Sequence, residues 1–135
     1  MAANTGKGKY YEGIGRRKVS SARVRLFKGK NPNIVNNNLI NEYFVVDKRM
    51  AKAQRPLVVS GLLDEYHFTA KTSGGGVTGQ ADAVCLGLAR ALVEMDETLK
   101  PALKKEGLLT RDPRMVQRKK YHHRKARKKP QFSKR

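Results

Sequence analysis

The charged side chains of this chain are distributed unevenly, and that distribution most constrains which parts of it can fold. Residues 1–30 hold nine Lys or Arg and one acidic residue, residues 31–110 hold nine of each sign, and residues 111–135 hold twelve basic residues and one acidic residue. The net charges are +8, 0 and +11, which together give the formal net charge of +19. A segment with so large an excess of one charge and so few apolar residues cannot bury enough surface to fold alone. We expect a flexible N-terminus over 1–9, a globular domain over 10–110 and an extended basic tail over 111–135.

Alternation of apolar and polar residues predicts strands in the middle section. From Ser20 to Leu26 an apolar residue occupies every second position, and the other face of the segment carries Arg23 and Arg25. A half-buried strand with a cationic outer face produces this pattern. Three further segments are predicted to be strands: Ile34 with Val35, Leu57 to Val59, and Tyr66 to Thr72.

Apolar residues at intervals of three and four predict helices elsewhere in the same section. The longest such pattern runs from Gly79 to Met95, where Thr78 or Asp82 supports the first turn. A shorter helix is predicted from Thr98 to Glu106, and Gly107 should end it. Two more helices complete the prediction: Asp47 to Arg55, which Pro56 should stop, and a short one with Leu39, Ile40, Tyr43 and Phe44, capped by Asn37 or Asn38.

Three glycines between a predicted strand and a predicted helix resemble a dinucleotide-binding fingerprint. Gly74, Gly76 and Gly79 have the spacing GxGxxG, but no second strand follows the helix, so the nucleotide-binding unit is incomplete. A phosphate-binding loop of the Walker type is also excluded, because Gln80 and Ala81 stand where Lys and Ser or Thr are required. Two interpretations of residues 74–76 remain open. Their backbone amides approach a nucleic-acid phosphate, or the glycines serve only the turn.

Basic residues cluster in two places outside the balanced middle section. Arg16, Arg17 and Lys18 precede the strand that carries Arg23 and Arg25, and such an extended cationic face favours contact with a phosphate backbone over simple solvation. In the tail, aromatic and imidazole groups are interleaved with cations, so that stacking on bases can accompany neutralisation of phosphates. A nuclear address or a solvated tail would have the same composition. The tail cluster comprises Arg118, Lys119, Lys120, Tyr121, His122, His123, Arg124, Lys125, Arg127, Lys128 and Lys129.

Several classes of protein are disfavoured by what the sequence lacks. No apolar run is long enough to span a bilayer, and no targeting segment is recognisable, so a cytoplasmic location is expected. Cys85 is the only cysteine, which rules out an internal disulfide and a thiolate zinc site, and its place on the apolar helix face indicates a core residue. His122 and His123 lack partners for a metal site. No residue spacing suggests catalysis, so we expect no enzyme activity, no cofactor, no metal and no small-molecule substrate.

Three stretches of the sequence resemble the family of the ninth protein of the small ribosomal subunit, in its bacterial form. The first is Gly13 to Lys18 followed by Ala22, Arg23 and Val24; the second runs from Gly74 to Ala81 and on to Ala89, Arg90, Ala91 and Leu92. The third is Leu109 to Asp112 together with the ending Gln131 to Arg135. The likeness covers nearly the whole chain from Tyr10. The combined motifs are specific, whereas the terminal Ser, Lys and Arg alone would not be.

This resemblance implies a fold, partners and a place in the cell. The fold would be an α/β two-layer domain of about four strands backed by helices, with a long basic C-terminal tail. The partners would be small-subunit rRNA, neighbouring ribosomal proteins of the subunit head and the P-site tRNA, which the tail tip (Ser133, Lys134, Arg135) would reach. The expected rRNA contacts are Arg16, Arg17, Lys18, Arg23, Arg25, Gly74, Gly75, Gly76, Arg111, Arg114, Arg118, Lys119, Lys120, Arg124, Lys125, Arg127, Lys128 and Lys129.

Two other functional classes would fit parts of the sequence. A free nucleic-acid-binding module, such as a chromosome-coating protein, is compatible with the charge and would bind duplex DNA as well as rRNA. A nucleotide-dependent enzyme is supported by the glycine loop alone. Co-sedimentation with small ribosomal subunits distinguishes the ribosomal protein from both.

Overall fold

The computed structural model describes residues 8–134, which form a mixed α/β domain followed by a tail. Within these residues the strands are β1 (Tyr10–Arg17), β2 (Ser20–Lys28), β3 (Ile34–Val35), β4 (Asn38–Leu39) and β5 (Tyr66–Ser73). The helices are α1 (Ile40–Tyr43), α2 (Asp47–Ser60), α3 (Val77–Met95) and α4 (Lys100–Lys105), with a 3-10 turn over Glu97–Leu99.

The five strands make one sheet in the order β1-β2-β5-β3-β4. β1, β2 and β5 are antiparallel neighbours, β3 runs parallel to β5, and β4 is antiparallel to β3. α3 lies across β1 and β2 on one face of the sheet, and α2 packs against α3. The expected fold of a sheet backed by helices is confirmed, with five strands in place of about four; two of the five are only two residues long.

The core lies between the sheet and α3. Ala22, Val24 and Leu26 of β2 are buried, as their alternation predicted, and α3 buries an apolar face that includes Val84, Leu88 and Leu92. Burial of this apolar surface stabilises the domain by roughly 25 cal/mol for each Å² removed from water. The predicted strand at residues 20–26 and the predicted helix at residues 79–95 are therefore confirmed, and both extend slightly further than expected.

Strand β1 was not predicted, because glycine occupies its inner face where an apolar side chain would mark a strand. A Cβ on Gly13 would lie 2.0 Å from the carbonyl oxygen of Gly87 in α3, and a Cβ on Gly15 would lie 1.8 Å from that of Ala83. A Cβ on Gly87 would be less crowded but still close, 3.1 Å from the backbone nitrogen of Gly15 and 3.2 Å from the carbonyl oxygen of Gly13. These glycines let the strand backbone rest directly on the helix backbone.

The predicted strand at residues 57–59 is wrong, since α2 continues through Pro56 to Ser60. Proline removes one helical hydrogen bond and disfavours the preceding turn. Here Ala53 and Leu57 are completely buried and α2 packs on α3, so tertiary packing outweighs that local penalty. The helix ends instead at Gly61, whose φ of 71° supports backbone bonds from Gly61 to Val58 and from Leu62 to Leu57.

Helix ends elsewhere differ from the prediction in detail. Leu39 occupies the N-cap position of α1, so neither Asn37 nor Asn38 caps this helix. The N-cap residue of α3 is Gly76, which has no side chain to cap the helix that begins at Val77. The end of α4 matches the prediction, because Gly107 adopts a φ of 69° and Leu108 donates a backbone hydrogen bond to Leu103. From residue 108 to residue 134 the chain forms no helix or strand. No helix of the described residues is long and apolar enough to cross a membrane.

Candidate nucleic-acid interface

The face of the sheet opposite α3 is open and cationic at its centre. Register places Arg23 of β2 between Ile14 of β1 and Lys71 of β5, and Arg25 between Glu12 and Thr69. A shallow groove of about 570 Å³ crosses this face. Its lining is Arg23, Arg25, Ile34, Asn36, Asn37, Thr69, Ala70, Lys71 and Thr72.

Glu12 holds the two arginines of this face in place. The Nε atom of Arg25 lies 2.9 Å from one carboxylate oxygen of Glu12, and the Nε atom of Arg23 lies 3.6 Å from the other. The hydrogen bond to Glu12 raises the pKa of Arg25, and the guanidinium also covers the ring of Tyr10 at 4.8 Å. With Lys71 the face carries three cations and one carboxylate. These contacts thus hold the excess positive charge in a fixed orientation on the open face of the sheet.

Strand alternation in β1 and the turn that follows it separate the three consecutive basic residues predicted to bind RNA. Arg16 and Lys18 are exposed, and Lys18 adopts a left-handed conformation with φ 53°. Arg17 turns inward instead, and only 13% of its side chain is exposed. Its Nε atom is 3.4 Å from Asp82, and its two terminal nitrogens reach the Asp112 carboxylate at 3.2 Å and the Arg114 carbonyl at 2.8 Å.

The glycine loop is packed tightly against the start of β2. Gly74 and Gly75 have φ values of 73° and 63°, and a Cβ on Gly75 would lie 2.1 Å from the hydroxyl of Ser20. The carbonyl of Gly74 accepts hydrogen bonds from the Ser20 hydroxyl and from the Gln80 side chain. Turn geometry and packing therefore account for Gly74 and Gly75. Gly76 differs, because nothing lies within 4 Å of a Cβ there and its φ is negative.

The tail begins with a short segment that contacts the domain and continues with exposed cations. Within the first segment, the backbone N–H of Arg114 donates to Asp112 at 3.0 Å, and the Arg114 guanidinium contacts both carboxylate oxygens. Hydrogen bonds from Arg114 hold the pKa of Asp112 well below its usual range. Farther along, Tyr121 is 84% exposed and its ring meets that of His122 edge-on at 5.4 Å.

The basic residues of the described tail beyond Arg114 all have solvent access. Arg118, Lys119, Lys120, Arg124, Lys125, Arg127, Lys128, Lys129 and Lys134 are exposed or half-buried. Arg127 donates to Gln117 at 3.0 Å, and the backbone N–H of Arg124 donates to the Lys128 carbonyl at 2.7 Å. Arg135, predicted to belong to the tail tip, lies outside the described residues.

Lys71 and Asp112 are functional candidates that the sequence did not single out. The sequence predicts the strand that carries Lys71, but only the sheet order brings this residue beside Arg23. Asp112 lies in a stretch that carries the family resemblance, but the sequence assigned no role to its side chain. Among residues 8–134, no group of three or more His, Cys, Asp or Glu side chains is arranged to hold a metal ion.

A small α/β domain with a cationic sheet face and a basic tail belongs to the class of nucleic-acid-binding structural proteins. The model of the family described as ribosomal protein S9/S16 matches residues 15–135. The small ribosomal subunit protein uS9 of Chlorobium limicola is 53% identical over 122 residues, which are 90% of this chain and 95% of that protein. Its counterpart in Chlorobaculum parvum is 52% identical over 122 residues.

The chain belongs to the ribosomal protein S9/S16 family, the family of the ninth protein of the small ribosomal subunit. The resemblance drawn from its motifs is thereby confirmed. It is a structural ribosomal protein and not an enzyme.

Proposed function

We propose that this chain binds rRNA in the head of the small ribosomal subunit, beside other ribosomal proteins, and that its tail tip contacts P-site tRNA. The observation that carries the proposal is the presence of two separate cationic surfaces on one chain. One is the open sheet face with the β1–β2 turn, and the other is the tail. A rigid surface can fix the register of the protein on folded RNA, while an extended chain can follow the backbone away from it.

The sheet face suits phosphate groups more than base edges. Arg23, Arg25 and Lys71 lie on adjacent strands, and the spacing between neighbouring strands is about 4.8 Å. Such a row of cations neutralises successive phosphates of one backbone and releases their counterions. Arg16 and Lys18 extend the row at the turn. We do not assign Arg17 to this surface, because carboxylates of the same chain occupy its guanidinium.

The tail supplies the larger share of the proposed RNA affinity. Nine cations of the described tail beyond Arg114 have solvent access, and Tyr121 presents a ring on which a base can stack. Arg111 and Arg114 are assigned to rRNA on the resemblance, although Arg114 also contacts Asp112. Fully extended, residues 111–135 span up to about 85 Å at roughly 3.4 Å each, so the reach of the tail does not limit where its tip lies.

A salt titration on purified small-subunit rRNA tests the sheet face. The variant Arg23→Gln/Lys71→Gln should lose affinity and lower the slope of log affinity against log salt by about 1.4 to 1.8 units. The matched control Lys104→Gln/Lys105→Gln removes the same charge from the exposed side of α4 and should leave the slope unchanged. Equal effects of both variants would mean that RNA senses only total charge.

A truncated chain ending at Val116 tests the tail in the same assay. It keeps the contacts of Asp112 and Arg114 with the domain and removes ten of the twelve basic residues of 111–135. The salt slope should flatten by several units, at about 0.7 to 0.9 for each phosphate contact. A truncated chain with the full slope would identify a solvated tail. Duplex DNA serves as competitor, since displacement of rRNA by it would favour a free nucleic-acid-binding module.

The glycine loop is proposed to approach a phosphate at Gly76 and not through Gly74 or Gly75, which packing already explains. Gly76→Ser adds a side chain into open space and offers its own cap to the first amides of α3. Stability should be kept or slightly raised while rRNA affinity falls. Unchanged rRNA affinity would mean that the glycines serve only the turn, which is the other interpretation of this loop.

A further inference from the structure

The first part of the tail is held against the domain by a small network centred on Arg17. We call residues 108–114 the neck. Leu108 is 8% exposed and joins the core cluster, and the Arg17 side chain contacts both the Asp112 carboxylate and the Arg114 carbonyl across nearly a hundred residues of sequence. The neck therefore has one apolar anchor and two polar anchors on the domain.

Arg17 is itself fixed from the domain side. Its Nε atom faces Asp82 of α3 at 3.4 Å, and the ammonium of Lys52 in α2 lies 2.6 Å from the other oxygen of that carboxylate. The side chain of Asp82 is only 18% exposed. Because β1, α2 and α3 all contribute to this cluster, the guanidinium presents its remaining donors in one direction, toward the neck.

The neck also carries a matching local structure. The Asp112 carboxylate accepts the backbone N–H of Arg114, which closes a tight turn and leaves the Arg114 carbonyl aimed at Arg17. A guanidinium offers several N–H groups in a planar fork, so it can bind a carboxylate and a carbonyl at once where an ammonium cannot. The side chain and the turn are therefore complementary in geometry as well as in charge.

We propose that Arg17 is a positioning residue that docks the neck on the domain before RNA is bound and so fixes where the tail leaves it. The flexible part of the tail then starts after Arg114 and not after Thr110. Docking itself does not depend on the RNA contacts proposed above. Because the docked neck makes the tail leave the domain at a fixed point, less conformational entropy is lost when the tail binds RNA.

The test is backbone dynamics of the full chain without RNA, measured as the ¹⁵N heteronuclear NOE and amide exchange. In the unaltered protein, residues 110–114 should be as ordered as β5, and residues 118–134 should not. Arg17→Gln should lower the heteronuclear NOE and the amide protection of the neck to those of residues 118–134. The NOE and the protection of β2 and β5 should not change. Arg16→Gln is the matched control, since it removes the same charge from the adjacent exposed position and should change nothing.

Asp112→Asn supplies a second variant that cannot disturb the core, because 31% of the Asp112 side chain is exposed. It should reproduce the loosened neck, and adding it to Arg17→Gln should loosen the neck no further. Arg17→Lys should restore order only in part, since it keeps the charge without the fork. A neck as mobile as residues 118–134 in the unaltered protein, or as ordered in both variants as in the unaltered one, would overturn the proposal.

Discussion

Gly15 of β1 lies against Ala83 of α3 so closely that a Cβ on the glycine would be 1.8 Å from the alanine carbonyl oxygen. The obstacle is backbone on both sides, which cannot move aside as a side-chain end can. One turn farther along α3, Gly13 and Gly87 repeat the contact. The distance between sheet and helix, and with it the position of the cationic face, thus depends on three residues without side chains.

Gly15→Ala should destabilise the domain by about 3 kcal/mol or more, because overpacking against rigid backbone forces the strand and the helix apart. Urea denaturation followed by circular dichroism measures the change in the free energy of unfolding. Gly8→Ala is the control, since nothing lies within 4 Å of a Cβ at that position, and it should fall within about 0.5 kcal/mol of the unaltered protein. If the free energy of unfolding of Gly15→Ala equals that of the unaltered protein, α3 can move away from the sheet without loss of stability.

Cys85 should be unreactive in the folded protein and become reactive only on unfolding. Its side chain is buried in α3, and burial raises the pKa of the thiol from about 9 to about 11. Only the thiolate is nucleophilic, so near pH 8 its fraction falls by about 100-fold, and access is restricted as well. Iodoacetamide labelling at pH 8 with and without denaturing urea measures the effect. Comparable labelling rates in both conditions would show that α3 opens readily.

The Asp112 carboxylate should stay ionised as the solution is acidified through the usual pKa of an aspartate, about 3.9. Hydrogen bonds from Arg114 lower its pKa, with a smaller contribution from the charge of Arg17. A lowered pKa means that the stabilisation is present above the unfolded value of about 3.9 and is lost only as the pH falls through the folded value. The ¹³C carboxyl shift of Asp112 reports its charge directly. In Arg114→Gln the midpoint should rise toward 3.9, and an unchanged midpoint would remove Arg114 as the cause.

The parts of the fold that depend on side-chain periodicity were predictable. β2, β5 and α3 each bury an apolar face whose repeat is visible in the sequence. β1 could not be found in this way, because its packing relies on the absence of side chains at Gly13 and Gly15. The continuation of α2 through Pro56 was equally inaccessible, since it depends on the burial of Leu57 against an element that lies later in the sequence.

The positive charge of the candidate interface was predictable from the sequence, but the direction in which each cationic side chain points was not. Arg16, Arg17 and Lys18 are equivalent in composition, yet the alternation of β1 puts Arg17 on the face that meets α3 and Asp82 and leaves its neighbours exposed. Lys71 joins Arg23 only because β5 pairs with β2, which no local pattern reveals. Which cation faces solvent is a property of strand register and of carboxylates distant in sequence.

Deletion of Ser133, Lys134 and Arg135 should weaken P-site tRNA binding while subunit assembly stays nearly intact. The tip would place two cations on tRNA phosphates as a positioning contact, so we expect a loss of about 5- to 30-fold. The loss should be similar for tRNAs of different sequence, because phosphates carry no base information. Filter binding of tRNA to purified subunits measures it, and sucrose-gradient sedimentation measures assembly.

The double variant Lys119→Gln/Lys120→Gln is the matched control for this deletion. It removes two cations from the middle of the tail and should weaken rRNA binding without changing the tRNA affinity of subunits that do assemble. The two variants thus separate a contact at the tip from the general charge of the tail. If the deletion blocks assembly and leaves tRNA affinity unchanged, the tip anchors the tail on rRNA and the proposed tRNA contact is wrong.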